Sequence, residues 1–313
     1  MKRLLALICA AAVAVCALCS CSKADTKSKR LSVVATIFPL YDWTKNITEG
    51  TDSVDLDLLL DSGADMHSFQ PSARDIVKIS SCDVFIYVGG ESEKWVDEAL
   101  KSRTNKDMVT INLMDELKDL LKEEELREGM QGDSDGEEDE HIWLSLKNAQ
   151  KACEAIRDGL VSADGQNEKS YKANADSYIK RLSSLDSDYQ SAVKSSKTKT
   201  LLFADRFPFR YMTEDYNLNY YAAFAGCSAE SEASFKTIAF LSKKTDELGL
   251  SAVLKLESSD GRVAEAVVNN TKNKNQKILT LDSMQSVTAD QIKDGLSYLG
   301  VMEKNLSVLG KAL

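Results

Sequence analysis

The stretch 171–189, YKANADSYIKRLSSLDSDY, carries apolar side chains at alternating spacings of four and three residues. This spacing places them along one face of an α-helix several turns long. The helix lies between two groups of short apolar segments, one before Asp115 and one after Lys199. The simplest arrangement is therefore two lobes joined by a long helix. The six apolar positions of the helix are Tyr171, Ala175, Tyr178, Leu182, Leu185 and Tyr189.

The short apolar segments on either side of this helix have the length and composition of β-strands. Several are apolar almost throughout, which suits strands that are covered on both faces. Their alternation with amphipathic segments indicates mostly parallel sheets flanked by helices, the α/β class. The predicted strands are 31–36, 54–60, 83–88, 109–113, 200–203, 251–256 and 277–281.

A chain of 313 residues has room for one large domain or two of modest size. We predict an N-terminal α/β lobe at 31–150, a linking helical region at 151–198 and a C-terminal α/β lobe at 199–313. The pattern leaves one alternative open, a single continuous sheet with the long helix lying across it.

The overall charge argues against one class of function. The chain has 49 acidic and 39 basic side chains, for a formal net charge of −10. Nucleic-acid binding needs clustered Lys and Arg to neutralise phosphates, and the excess of carboxylates opposes it. The 43% hydrophobic and 28% charged residues are typical of a globular protein, not of a disordered or multi-span membrane chain.

The first residues form an export signal. A basic start is followed by the uncharged segment 4–18, which is short for a membrane-spanning helix. It ends in Leu-Cys-Ser-Cys, which resembles a bacterial lipobox, so Cys21 is the predicted site of lipid attachment. We thus predict a lipoprotein signal peptide at 1–20, a polar tether at 21–30, and an extracytoplasmic chain anchored to the bacterial membrane. A plain secretory signal with incidental cysteines is the alternative.

The remaining cysteines do not form a recognisable motif. Of the seven in the chain, Cys82, Cys153 and Cys227 lie beyond the leader and the lipobox. An odd number at such wide spacing is neither a disulfide scaffold nor a C-x-x-C site. One disulfide is compatible with an oxidising compartment, and the sequence does not choose the pair.

Histidine is informative because the chain has only two. His67 lies in the loop 63–72, GADMHSFQPS, shortly after a predicted strand. In open α/β sheets ligands bind beyond the carboxyl ends of the strands, so this loop is a suitable place for a site. His141 precedes an amphipathic helix that begins near Leu146. A single histidine of either kind is more often structural than a ligand, although imidazole is a common metal ligand.

Two aspartates also follow predicted strands. Asp205 comes shortly after the segment 200–203, and Asp282 comes directly after 277–281. An aspartate in this position is often only a helix N-cap. Together, two imidazoles from the first lobe and two carboxylates from the second supply enough donors and negative charge to bind a divalent cation.

At these residues the chain resembles the zinc and manganese solute-binding lipoproteins of ABC transporters. The resemblance covers essentially the whole mature length. It rests on the His67 loop, on the triplet His141-Ile142-Trp143 after an acidic insertion, on Tyr171-x-x-Asn174 and on Leu281-Asp282.

The resemblance implies two α/β lobes bridged by a rigid helix. It also implies a monomer that holds a metal between the lobes and delivers it to a membrane permease with its ATPase. His67, His141 and Asp282 occupy the positions of three ligands of the family.

The fourth ligand position departs from the family pattern. The family usually places His or Glu after the first strand of the second lobe, whereas this chain has Asp205-Arg206-Phe207 there. An ungapped comparison points to Arg206, whose guanidinium stays protonated and cannot coordinate a cation. One inserted residue points to Asp205, a workable carboxylate ligand, and we predict Asp205.

An acidic loop, 125–140, precedes His141. Zinc-specific relatives often carry histidines at such an insertion, and without them the loop is either a weak cation-attracting segment or a solvated, mobile run of charge. Its acidic residues nearest His141 are Asp133, Asp135, Glu137, Glu138, Asp139 and Glu140.

With two histidines in the chain, the predicted shell has at most two imidazoles, completed by oxygens. Such ligands admit zinc, manganese or iron, and the Irving–Williams order together with the insertion favours zinc over manganese. Two other functions remain open. One is a surface metallohydrolase with Glu257 as general base, although Glu257 is better explained as structural because no catalytic motif is present. The other is an adhesin lipoprotein with a structural metal.

Overall fold

The computed structural model describes residues 30–132, 136–228 and 232–313. The predicted signal peptide, Cys21 and nearly all of the tether lie outside these residues, as do Asp133 and Asp135. The remaining predicted site residues lie within them.

The first half of the chain forms a parallel four-stranded sheet in the order β2-β1-β3-β4. Its central strand β1 is buried almost completely at Val33, Val34 and Ala35, on both faces. That burial explains the nearly uninterrupted apolar sequence. The strands are β1 (Leu31–Ala35), β2 (Val54–Leu58), β3 (Val84–Tyr87) and β4 (Val109–Asn112).

The second half repeats this topology, with a parallel sheet in the order β6-β5-β7-β8. The strands are β5 (Thr200–Phe207), β6 (Asn219–Ala225), β7 (Ala252–Leu256) and β8 (Lys277–Leu281). One strand was not among those predicted, namely β6. β5 also extends four residues beyond its predicted end, through an irregularity in pairing between Phe203 and Arg206. The presence of two separate sheets rules out the single continuous sheet.

In both sheets the connections change direction beside the first strand, between β1 and β3 and between β5 and β7. In open parallel sheets ligands bind beyond the carboxyl ends of strands at such a point.

Helices flank the sheets and connect the strands. They are α1 (Phe38–Ile47), α2 (Ala73–Ser81), α3 (Trp95–Lys101), α4 (Leu113–Glu116), α5 (Leu146–Ala163), α6 (Glu168–Ser195), α7 (Arg210–Asp215), α8 (Phe235–Glu247), α9 (Arg262–Asn269), α10 (Ala289–Lys293) and α11 (Tyr298–Ala312). None of the helices within the described ranges is both long and apolar enough to span a bilayer.

The long helix is α6, with 28 residues, and all six predicted apolar positions on it are buried. It is tied to both halves of the chain. The amide of Asn174 donates to the carbonyls of Ile47 and Glu49 at the end of α1, at 3.0 and 2.8 Å. The hydroxyl of Tyr189 donates to the carbonyl of Met302 in α11 at 2.6 Å. The predicted fold class, two lobes of parallel sheet with one long helix between them, is confirmed.

One hydrophobic cluster runs through both halves. It includes Val34 of the first sheet, Leu182 of α6 and Leu254 of the second sheet. A smaller cluster around Val253 and Val267 fills the space under α8 and α9. The long helix therefore packs within a shared core.

Candidate metal centre

His67 lies on a short 3₁₀ turn, Met66–Ser68, beyond the carboxyl end of β2. The turn is capped by Asp65, whose Oδ1 accepts a hydrogen bond from the backbone N–H of His67 at 3.0 Å. Met66 is buried and anchors the turn in the core. Local capping and one apolar contact therefore fix the position of His67.

His141 is completely buried and precedes the 3₁₀ turn Ile142–Leu144. In this turn Trp143 is also completely buried, and its Nε1 donates to the carbonyl of Ser283 at 2.9 Å. Because Ser283 follows β8, this bond ties the His141 segment to the second sheet.

The two imidazoles meet through their Nε2 atoms, which lie 3.2 Å apart. The opposite ring nitrogens contact carboxylates. His67 Nδ1 lies 3.1 Å from Glu140 Oε1 and 2.6 Å from Ser92 Oγ. His141 Nδ1 lies 2.8 Å from Asp139 Oδ1. Metal-binding histidines generally have such carboxylate partners, which fix the tautomer and orient the ring.

This arrangement suits a cation between the rings. When each Nδ1 carries the proton that its carboxylate accepts, both Nε2 atoms present lone pairs to each other. Two facing lone pairs repel unless a proton or a metal ion lies between them. In a tetrahedral zinc site two imidazole nitrogens are about 3.3 Å apart, given Zn–N bonds of about 2.05 Å. The observed Nε2 separation is close to that value.

The acidic residues next to His141 differ from the prediction. Asp139 and Glu140 are each 1% exposed, whereas Glu137 and Glu138 are exposed. Asp139 and Glu140 are therefore not part of a solvated charge run, because each is buried as the partner of a histidine. A cation-attracting role of the loop stays a prediction.

The buried charges shift one another's pKa values. Burial by itself lowers the pKa of His141, but the charge and hydrogen bond of Asp139 outweigh it and raise the pKa above the ordinary value. Burial by itself raises the pKa of Glu140, but the hydrogen bond and charge of His67, with the charge of His141, lower it below the ordinary value. Glu140 is therefore held as a carboxylate beside the imidazoles.

A third potential ligand comes from the loop after β6. His67, His141 and Cys227 each offer one atom, and these three atoms all lie within 4.8 Å of one another. The approach depends on Gly226. A Cβ at this position would lie 3.0 Å from Cε1 of His141 and 3.0 Å from the carbonyl of Phe207, so a side chain would push the loop away.

Gln285 completes the surroundings of the imidazoles. It is 3% exposed, and its Nε2 lies 3.4 Å from His67 Nε2. Its Oε1 has no hydrogen-bond partner within the described part of the chain. The loop before His67 is held against this segment by the Gly63 N–H, which donates to the carbonyl of Val287 at 3.0 Å.

Asp205, the predicted fourth ligand, is not part of this group of atoms. Its Oδ2 accepts from the backbone N–H of Leu256 at 3.0 Å and its Oδ1 from that of Arg206 at 2.9 Å, so the carboxylate holds β5 beside β7. Arg206 instead pairs with Asp65, which caps the His67 turn. Burial by itself raises the pKa of Asp65, but the hydrogen bond and charge of Arg206 lower it.

Asp282 also lies outside the group, although we predicted its convergence with the histidines. Its Oδ1 accepts from the backbone N–H of Met284 at 2.9 Å, which shapes the turn after β8. Both oxygens of Glu257, the base considered for a hydrolase, accept hydrogen bonds at 2.8 Å from the backbone and hydroxyl of Ser283. Burial and the charge of Asp282 raise the pKa of Glu257 to about 7. These carboxylates stabilise the loop.

A cleft of about 440 Å³ leads from the surface to His67. It opens beyond the carboxyl ends of β5, β6 and β7 and is lined by both polar and apolar groups, among them Asp65, Arg206 and Asp260. The cleft therefore gives access to His67 from one side.

The sequence reasoning missed three residues beside the imidazoles, namely Ser92, Cys227 and Gln285. Cys227 follows the unpredicted strand β6, and predicting that strand would have placed the cysteine at the sheet edge that carries the site. No sequence signal marked Gln285, which lies four residues after the end of β8 and beyond the aspartate that we chose.

Comparison with known proteins supports this architecture. The chain is 31% identical over 292 residues to the zinc-binding protein AdcA of Streptococcus pyogenes serotype M6, a match that covers 90% of this chain and 55% of that protein. It thus spans little more than half the length of these streptococcal relatives. It is 31% identical over 293 residues to the high-affinity zinc uptake system protein ZnuA of Bacillus subtilis, covering 93% of this chain and 90% of the relative.

A solved structure with this fold is the Zn(II)-bound ZnuA-like domain of Streptococcus pneumoniae AdcA. It superposes with a TM-score of 0.72 at 29% identity and covers 90% of this chain and 98% of that domain. The family model described as "ZnuA: Zinc-uptake complex component A periplasmic" matches residues 33–312. The chain therefore belongs to the ZnuA family.

Proposed function

We propose that this chain is the extracytoplasmic solute-binding component of an ABC transporter. In this proposal it captures a divalent transition metal at His67 and His141 and delivers it to a membrane permease with its ATPase. The metal is cargo, and Zn²⁺ is favoured over Mn²⁺.

The observation that carries the proposal is the pair of Nε2 atoms at 3.2 Å, each on a ring whose Nδ1 contacts a buried carboxylate. A structural histidine needs one partner for each donor and acceptor. When both Nδ1 atoms carry the ring proton, two acceptor atoms face each other here at the separation of two ligands on one cation. The two carboxylates also supply negative charge that offsets a divalent ion.

The relatives support the choice of zinc. The Bacillus subtilis relative is named a high-affinity zinc uptake protein, and the Streptococcus pneumoniae domain is Zn(II)-bound. Two imidazoles also favour zinc over manganese, both by the Irving–Williams order and because manganese prefers oxygen ligands.

We further propose that lipid on Cys21 anchors the mature chain at the outer face of the bacterial membrane, where a permease is accessible. The support is the apolar leader and the lipobox-like end of that leader. Replacing Cys21 by alanine should release the chain from the membrane fraction, with Cys19→Ala as a matched control. A chain that stays membrane-bound after Cys21→Ala argues against the lipid anchor.

In this proposal the protein binds and releases metal without catalysing a reaction. A hydrolase needs a metal-bound water together with a free general base. Glu257 has both oxygens engaged with Ser283, which supports a structural role for it.

The direct test is elemental analysis of the purified mature chain, followed by competition titration of Zn²⁺ against Mn²⁺. We expect about one zinc per chain and a clear preference for zinc. A chain that retains no transition metal and binds none on titration would contradict the proposal. A chelator-treated chain should remain folded by circular dichroism and rebind zinc quickly, whereas a structural metal would be coupled to folding.

A further inference from the structure

The loop after β6 brings a sulfur atom to the two imidazoles. Cys227 is half-buried, and its Sγ belongs to the group of three atoms that lie within 4.8 Å of one another. Gly226 permits this approach, and the backbone N–H of Cys227 donates to Glu124 Oε1 at 2.9 Å, which fixes the start of the loop.

The Cys227 thiol is not engaged in a disulfide. All three cysteines of the described chain are free, and Cys82 and Cys153 are completely buried in the core, unlike Cys227. The polar contacts of the Cys227 sulfur are Glu140 Oε1 at 3.9 Å, which is long even for a bond that involves sulfur, and the carboxylate of Glu124. A cation near the Nε2 atoms would be a stronger partner than the contact with Glu140.

A second, independent observation points to a ligand at the same place. Only 3% of Gln285 is exposed, and its Nε2 lies 3.4 Å from His67 Nε2. Its Oε1 has no hydrogen-bond partner among the described residues. An unsatisfied buried carbonyl oxygen is costly. Rotation of the amide by half a turn presents Oε1 to the space between the imidazoles, where a cation would satisfy it.

These atoms make up the donor set of a four-coordinate site. Two imidazole nitrogens and one sulfur form the core, and the Gln285 oxygen or a water molecule is the fourth donor. In a tetrahedral zinc site a nitrogen and a sulfur lie about 3.6 Å apart, so a small movement of the Cys227 side chain within its 4.8 Å limit completes the shell.

We propose that Cys227 binds the metal as a thiolate, so that the site is an imidazole–thiolate centre selective for thiophilic cations of the Zn²⁺ class over Mn²⁺. This inference rests on the proposed function and names its substrate class. On binding, the thiol transfers its proton to solvent and the sulfur donates an electron pair to the metal. No change of oxidation state is involved. Thiolate ligands select zinc and copper(I), whereas manganese prefers oxygen.

The test uses Co²⁺ as a spectroscopic substitute for zinc in the full mature chain. We expect intense visible absorption from a four-coordinate site together with a thiolate-to-cobalt charge-transfer band in the near ultraviolet. Cys227→Ser should abolish that band, and the matched control Cys153→Ala should retain it. The same Cys227→Ser variant should bind zinc about 10- to 100-fold more weakly while losing little manganese affinity.

The outcomes separate this inference from the proposed function. Cobalt binding to the wild-type chain without the charge-transfer band overturns thiolate ligation and leaves histidine ligation intact. Failure of the wild-type chain to bind either cobalt or zinc overturns both.

A second measurement does not depend on the folding of a variant. In the wild-type chain, zinc should slow alkylation of Cys227 by iodoacetamide by about tenfold or more, with the buried Cys82 and Cys153 as internal references. An unchanged alkylation rate on zinc loading overturns the inference.

Discussion

The two halves of the chain contribute to the centre in different ways. The first half supplies two histidines, each oriented by a buried carboxylate from the segment Asp139–Glu140. The second half brings Cys227 and Gln285 to the same place from loops, and the nearest carboxylates to Cys227, Glu124 and Glu140, come from the first half. If the proposed metal centre is correct, the first half fixes where the cation binds, and the second half influences which cation is accepted.

The largest effect should come from removing a histidine. We expect His67→Ala and His141→Ala each to weaken zinc binding by more than about 100-fold, because even an outer hydrogen-bond partner is worth about 10- to 100-fold. Competition titration with a chelator of known affinity measures the loss.

The two aspartates outside the group of ligand atoms are the matched controls for the histidines. Asp205→Asn and Asp282→Asn should each change zinc affinity by less than about threefold, since their carboxylates hold loops and not the cation. A loss for Asp282→Asn as large as that for His67→Ala would restore the convergence that the sequence predicted.

The next prediction tests whether the Asp139 carboxylate, by its contact with the His141 ring, supports metal binding. Asp139→Asn should weaken zinc binding by about tenfold or more near pH 8, because the His141 ring loses its anionic partner. Asp139 raises the pKa of His141, so protons compete with metal up to a higher pH in the wild type. The variant's affinity should therefore decline at a lower pH than that of the wild type.

Affinity measured from about pH 5 to pH 8 tests this shift. The exposed neighbour Glu138 gives the control, Glu138→Gln, which should leave the pH profile unchanged. A profile for Asp139→Asn that coincides with the wild type would show that Asp139 does not set the protonation of His141.

A smaller effect is expected where the two halves touch. Gly226→Ala places a methyl group against His141 and the carbonyl of Phe207, and we expect the free energy of unfolding to fall by about 1–3 kcal/mol. Zinc affinity should fall as well, because the Cys227 loop must move. Urea denaturation measures the first effect. Gly165→Ala, where a Cβ meets open space, should show neither.

The smallest effect concerns Glu93, whose buried carboxyl lies close enough to Glu140 for their charges to interact. Burial, with the charge of Glu140, raises its pKa to about 7. The folded chain thus keeps a proton that the unfolded chain loses near its ordinary pKa of 4.5. Stability contributed by Glu93 is present below that value and is lost as pH rises through about 7.

We therefore expect the free energy of unfolding to decline by about 1–2 kcal/mol between about pH 5 and pH 8 through this residue. Glu93→Gln should flatten the decline, whereas Glu91→Gln, at an exposed position, should not. Denaturation at a series of pH values decides between them.

Most of the fold was predictable because seven strands and the long helix follow simple apolar periods. The exception, β6, has the sequence NYYAAFA, and its alanines have little strand preference outside a buried environment. Tertiary burial in the second sheet decides its conformation. Missing this strand also hid Cys227, which lies two residues beyond its end.

The part of the candidate site formed by the histidines was predictable, because histidine is a common metal ligand and is rare in this chain. Two histidines in 313 residues drew attention to the two loops whose imidazoles the structure brings together. The sequence could not show that Asp205 and Asp282 lie outside the group of three ligand atoms, because a carboxylate after a strand can cap a backbone as readily as it can coordinate a metal. Only the direction of the side chain separates the two roles, and that direction comes from contacts distant in sequence.

The continuous hydrophobic core limits how this protein can respond to an ion. Val34, Leu182 and Leu254 belong to one apolar cluster that crosses from one sheet to the other. A rotation that separates the two halves would expose this cluster to water, at a free-energy cost of about 25 cal/mol for each Å² of apolar surface. If the proposed transport function is correct, we expect loading and unloading to be local events in which strand-end loops rearrange while the two sheets keep their arrangement. A permease that distinguishes the metal-loaded from the metal-free chain would then contact those loops.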